Sequence, residues 1–187
     1  MGKNITTYHQ FEQLILNEEK YNYQKDLTEK LDSSNSLPLT QELLNEIVLW
    51  KVNRYATIPQ TAFDKINSID VNAKDIDEEL TKDILTELLG KESKGIQLAM
   101  ASTILRFRNP NIYQIIDQRA FRFAMEKPLE IKHGYSKENI DNQIVLYLDY
   151  LRELQKIAIL KNCDFKDLDR ILYMYDKQYN DELKIKY

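Results

Sequence analysis

Chain breakers are scarce in this sequence. Its 187 residues include four glycines and four prolines, whereas a sandwich or barrel of β-strands needs turn residues between most of its strands. That scarcity argues against an all-β architecture and leads us to expect an all-α fold. Cysteine is nearly absent. Cys163 stands alone, so no internal disulfide can form, and with only His9 and His133 beside it a zinc site of Cys and His ligands is not expected. We expect no metal and no other cofactor. No run of apolar residues approaches membrane-spanning length, and the first residues, MGKNITTYHQFEQ, lack the apolar stretch of a signal peptide. The expectation is a cytoplasmic protein with no membrane partner. Strong positive charge is missing too: the formal net charge of -4 argues against a basic coat of the kind that binds nucleic acid all over its surface.

What the sequence does have is enough apolar material, 43% of residues, to build a core. We expect one helical domain spanning 1–187, made of two packed lobes. Residues from Tyr8 to about Leu31 mix apolar and charged positions with a helical recurrence and read as one or two surface helices. A Ser- and Asn-rich loop ends at Pro38. Thr40 then opens a helix from about Gln41 to Asn53 carrying the lone Trp50, with Lys51 and Arg54 at its C-terminal end, where cations suit the helix dipole. Pro59 suits the first turn of a shorter helix that should turn Phe63 and Ile66 inward. The clearest amphipathic stripe runs from Ser136 to about Asn162, through Ile140, Ile144, Tyr147, Leu148, Leu151, Leu154 and Ala158. Asp164 reads as the N-cap of a last helix burying Leu168, Ile171, Leu172 and Tyr175.

Charge is unevenly spread between these elements. From Asp64 to Glu87 eight acidic residues face three lysines, a local charge of -5, which reads as a solvated face. From Leu88 to Phe123 the balance reverses to +4, with Lys91, Lys94, Arg106, Arg108, Arg119 and Arg122 against Glu92 and Asp117. In this basic stretch Gly90 and Gly95 bracket a turn, Leu89-Gly90-Lys91-Glu92-Ser93-Lys94-Gly95, and an almost wholly apolar helix from Ile96 to Leu105 follows. A turn of this kind exposes backbone N–H groups at a helix start, where a phosphate can dock. The alternative is an ordinary loop between packed helices. After Asn109-Pro110 the chain reads Tyr113-Gln114-Ile115-Ile116-Asp117-Gln118-Arg119-Ala120-Phe121-Arg122, which sets a carboxylate between apolar residues and a new helix start. Asp117 is either a functional acid or a plain N-cap, and local sequence by itself favours the cap, the commonest role for Asp at a helix start.

This order, a glycine turn, an apolar helix, a short linker and an aspartate opening the next helix, resembles the helix-hairpin-helix superfamily of DNA glycosylases. The resemblance covers roughly residues 80–125. The family turn usually reads Leu-Pro-Gly-Val-Gly. Gly95 matches its second glycine, Ala99 the small residue one turn into the helix, and Asp117, 22 positions after Gly95, the catalytic aspartate. Trp50-Lys51 and the stretch from Asp167 to Tyr173 are also similar to small members of the group. The resemblance implies a DNA partner gripped by the turn, through Gly90, Lys91, Ser93, Lys94, Gly95 and Gln97, with help from Arg119 and Arg122. It further implies N-glycosidic base removal at Asp117, with Trp50 as a pocket wall. Bifunctional members carry a nucleophilic lysine where this chain has Gln97, so the implied chemistry is monofunctional. The four-cysteine iron–sulfur phrase of some members is absent. The competing reading is a noncatalytic helical module that binds DNA or an acidic protein partner, in which Arg119 and Arg122 pair with the acidic stretch from Asp64 to Glu87.

Overall fold

The computed structural model describes residues 25–34, 36–52, 56–180 and 182–183, and the chain divides into two units, 1–55 and 56–187. His9, Arg54 and the stretch from Tyr8 to Gln24 lie outside the described residues. Among the described residues the structure is all-helical, with one isolated β-bridge and no strand. No described helix is long and apolar enough to cross a membrane.

In the first unit, α1 (Lys25–Ser33) packs on α2 (Gln41–Val52). Thr40 caps α2 by accepting the Leu43 N–H at 3.2 Å. Trp50 donates its indole N–H to the Thr28 hydroxyl at 2.8 Å, which ties the two helices together.

The second unit contains α3 (Gln60–Ser68), α4 (Glu78–Leu88), α5 (Leu98–Arg108), α6 (Gln118–Met125), α7 (Lys137–Lys161) and α8 (Leu168–Tyr179). Its spine is α7. Ser136 caps that helix by accepting the Asn139 N–H, and the expected stripe from Ile140 to Ala158 is buried throughout. The spacing of three and four residues puts these side chains on one face, where each fully buried leucine contributes about 1.5–3 kcal/mol. Leu151→Ala would open a cavity there at a cost of about 2–5 kcal/mol. Asn162 ends α7 in the left-handed conformation, which Asn tolerates better than most residues.

Two sequence expectations need correction. Phe63 does not turn inward with Ile66 but is half-exposed. Likewise Ile171 and Tyr175 of α8 are exposed, while Asp169 and Asp176 are buried. On α8 the inward face is therefore partly polar. Carboxylates occupy it because each finds donors inside, a backbone N–H for Asp169 and two arginines for Asp176. Asp164 caps a short 3-10 turn, Phe165–Asp167, that precedes α8.

Candidate active-site cleft

The turn between α4 and α5, residues 89–97, is fastened from several sides. Ser93, buried, donates its hydroxyl to the Glu87 carbonyl at 2.8 Å. Lys94 forms an antiparallel bridge with Thr57, exchanging hydrogen bonds of 2.8 and 3.0 Å. Gly90 is closely packed, since a Cβ there would lie 3.0 Å from the Thr86 carbonyl oxygen. Gly95 has φ of 71°, a conformation that side-chain-bearing residues adopt at a cost. Gln97 takes the N-cap position of α5 without a side-chain hydrogen bond to that helix. Lys91 and Lys94 are exposed, and neither forms an ion pair among the described residues.

After α5 the chain runs through residues 113–117 without regular secondary structure and with no strand beside it. Its backbone groups are satisfied by side chains from three helices. The Ser102 hydroxyl of α5 accepts the Ile116 N–H at 3.1 Å, and the Asp169 carboxylate of α8 accepts the Ile115 N–H at 3.0 Å. From α7, Tyr147 and Tyr150 donate their hydroxyls to the carbonyls of Gln114 and Ile115, at 2.9 and 3.1 Å. Burial holds both phenols well above their ordinary pKa, so they stay protonated donors. Such a network fixes the backbone because each buried polar group would be costly to strand.

This held segment delivers Asp117 to the start of α6. Its Oδ1 accepts two backbone N–H bonds, from Arg119 at 2.7 Å and Ala120 at 2.9 Å, so the capping expectation is met. Oδ2 takes no hydrogen bond among the described residues. The side chain also lines an open cleft of about 690 Å³, together with Gln97, Ala99, Ile116, Gln118, Arg119, Leu129, Ile131, His133 and Tyr173. Cap and cleft residue are therefore one and the same. Burial raises the Asp117 carboxyl above the ordinary aspartate value, against the two backbone hydrogen bonds, and the charges of Asp169 and Asp176 push the same way. Gln118 donates its amide to the Leu129 carbonyl at 3.2 Å and so ties the loop wall of the cleft to α6.

The basic stretch does not form one patch. Arg106 is buried, donating to the Lys166 carbonyl at 3.0 Å with Asp167 3.7 Å away. Arg108 turns to the carbonyls of Ile66, Asn67 and Ile69 at the end of α3. Arg122 grips Asp176 through two hydrogen bonds of 2.8 and 2.7 Å, and Arg119 approaches the same carboxylate at 3.4 Å while lying over the Tyr173 ring. Among the described residues their acidic partner is thus Asp176 on α8 and not the stretch from Asp64 to Glu87. That stretch is paired elsewhere, Glu87 with Lys65 and Glu78 with Arg152.

Of the residues named from sequence, the cleft brings together Gln97, Ala99, Asp117 and Arg119. Arg122 stands behind it on Asp176. Trp50 belongs to the first unit, where its indole engages Thr28. Sequence reasoning missed His133 and Tyr173 as cleft residues, and Ser102, Asp169 and Asp176 as its supports. Only Asp169 and Tyr173 carried any signal, within the stretch from Asp167 to Tyr173. Among the described residues no group of three or more His, Cys, Asp or Glu side chains is disposed to hold a metal ion. In comparisons with known proteins, the chain matches no family model, no curated protein and no solved structure.

Proposed function

We propose that the chain is a DNA-binding protein of the DNA glycosylase type, releasing a base by monofunctional hydrolysis of its N-glycosidic bond at Asp117. The observation that carries this reading is the divided carboxylate: Oδ1 is pinned by two helix-start amides, and Oδ2 is left without a hydrogen bond on a residue that faces an open cleft. Glycosidic cleavage needs a positioned negative charge. As the bond between C1′ and the base nitrogen breaks, the electron pair leaves with the base and the sugar becomes an oxocarbenium ion. Water then adds its oxygen to C1′ and loses a proton, while the base gains one. Asp117 offsets the cation and orients the water, a preorganised electrostatic role whose loss typically costs about 10²–10³ in rate. Rigidity supports the role, because Asp117 follows a segment held from α5, α7 and α8.

The apolar wall of Ile116, Leu129 and Ile131, with Tyr173 at the side, suits a planar ring taken out of the base stack. Lys91 and Lys94 serve the phosphate backbone, a contact that carries no sequence preference. Gln97 provides no amine for Schiff-base chemistry. The rival reading, a noncatalytic helical module, is favoured by one observation. Four of the six cations between Leu88 and Phe123 are committed to partners inside the protein.

Release of free base from duplex and single-stranded oligonucleotides carrying damaged or modified bases tests the proposal. The expected result is release by the wild type and a rate lower by about 10²–10³ or more in Asp117→Asn. Retention on DNA that weakens with salt, with no release of any base, would favour the noncatalytic module. No retention even at low salt removes DNA from the account.

A further inference from the structure

A second cleft, of about 230 Å³, adjoins the first. It is lined by Leu89, Ile96, Gln97, His133, Gly134, Tyr135 and Gln143, and two of these, Gln97 and His133, also line the cleft at Asp117. The two depressions therefore share a border made of two exposed side chains. One bank is the turn of residues 89–97 and the other is the loop of residues 126–136.

The chemistry of the smaller cleft is that of a heterocycle site. Leu89 and Ile96, both buried, give it an apolar floor. Tyr135 is 57% exposed at its edge and offers a free aromatic face. Gln143 is only 6% exposed, and its Nε2 donates to the carbonyls of Lys132 and Asn139, each at 3.3 Å. Those two bonds set the amide's orientation, because a flipped amide would face oxygen to oxygen. Its Oε1 is then left as an acceptor with no hydrogen bond among the described residues. Oε1 keeps some contact with solvent, so it stands open to a donor entering the cleft. The bank that supplies Leu89 and Ile96 also carries Lys91 and Lys94, both exposed and both without an ion pair among the described residues.

We infer that this cleft receives the nucleotide next to the one held at Asp117, so that the groove binds a strand and not an isolated nucleoside. The inference rests on the glycosylase-type reading and extends it to a second subsite. The neighbouring base lies on Leu89 and Ile96, stacks on Tyr135 and gives an N–H to Gln143 Oε1. Lys91 and Lys94 meet the phosphates flanking it, and Gln97 and His133 stand between the two bases. No bond is made or broken at this subsite.

The test is titration of the full chain at low salt with dAMP and with the deoxyadenylate dinucleotide and trinucleotide, read by calorimetry or amide chemical shifts. The dinucleotide should bind at least about fivefold more tightly than dAMP, the lower end of what stacking one base on an aromatic ring returns. Tyr135→Ala should abolish that step; its exposed position spares the fold. Gln143→Met should reduce the step in the same way. A dinucleotide that binds no tighter than dAMP, or a step that survives both substitutions, overturns the second subsite and leaves the Asp117 reading standing. Failure of every member of the series to bind overturns both.

Discussion

Replacing Asp117 by Asn and by Ala separates what the side chain does for the fold from what it does for chemistry. As an N-cap, Asp117 satisfies two amides of α6 through Oδ1 at 2.7 and 2.9 Å. Ala removes both bonds and should cost about 1 kcal/mol, within a range of about 0.5–2. Asn keeps an oxygen in the same place and should preserve them. The charge itself works against the fold, since burial together with Asp169 and Asp176 raises the carboxyl pKa despite the two backbone hydrogen bonds. For a carboxyl raised in the folded state, the contribution to stability is fully present below the unfolded value near 3.8 and is lost as pH rises through the folded value. Asn at 117 does not ionise and escapes that loss. Asp117→Asn should therefore be at least as stable as the wild type at pH 7, with its relative advantage shrinking towards pH 3. Base release should fall by about 10²–10³ or more in the same variant. Thermal melts at several pH values and a base-release assay read the two effects separately. Asn variants as unstable as Ala variants would refute the capping argument. Full activity in Asp117→Asn would refute the catalytic one.

Asp176 is fully buried and accepts from Arg122, Asn180 and Arg119; burial pushes its carboxyl up, but these partners together outweigh it and hold the pKa below the ordinary aspartate value. Its stabilisation is present above the unfolded value near 3.8 and is lost as pH falls through the folded one, so acid melts of Asp176→Asn should lack that limb. At neutral pH the same change strips the charge partner from Arg122 and should cost about 3 kcal/mol by chemical denaturation. Ser102→Ala leaves the buried Ile116 N–H without its acceptor and should destabilise by about 1–3 kcal/mol, with larger losses of base release than of DNA retention because the linker to Asp117 loosens. Gly95→Ala forces a side-chain-bearing residue to φ near 71° and should lower stability by about 1 kcal/mol in the same denaturation assay.

Much of the helical frame was legible in the sequence because it depends on local patterns. Ser136 and the apolar recurrence through Ala158 mark α7, Thr40 marks the start of α2, and Asp117 marks the start of α6; each signal lies within a turn or two of the element it governs. The inward face of α8 was not legible. Ile171 and Tyr175 look like core residues by hydropathy, yet Asp169 and Asp176 are the ones buried, because their donors come from the 113–117 segment and from α6, more than fifty residues away in the chain. The basic stretch misled for the same reason. A count of charges along the chain says nothing of where each arginine finds its partner, and Arg106, Arg108, Arg119 and Arg122 each found one through the fold.

Residue types and spacing alone determined an all-helical chain and pointed to Asp117 as a helix-starting carboxylate worth attention. Tertiary structure alone decided that this carboxylate faces an open cleft, that Gln97 comes to its side from a turn twenty residues earlier in the chain, and that His133 and Tyr173 complete the walls. Helix starts are dictated by hydrogen bonds between near neighbours. A cleft forms only where distant segments pack and leave space between them, and no local rule records that space.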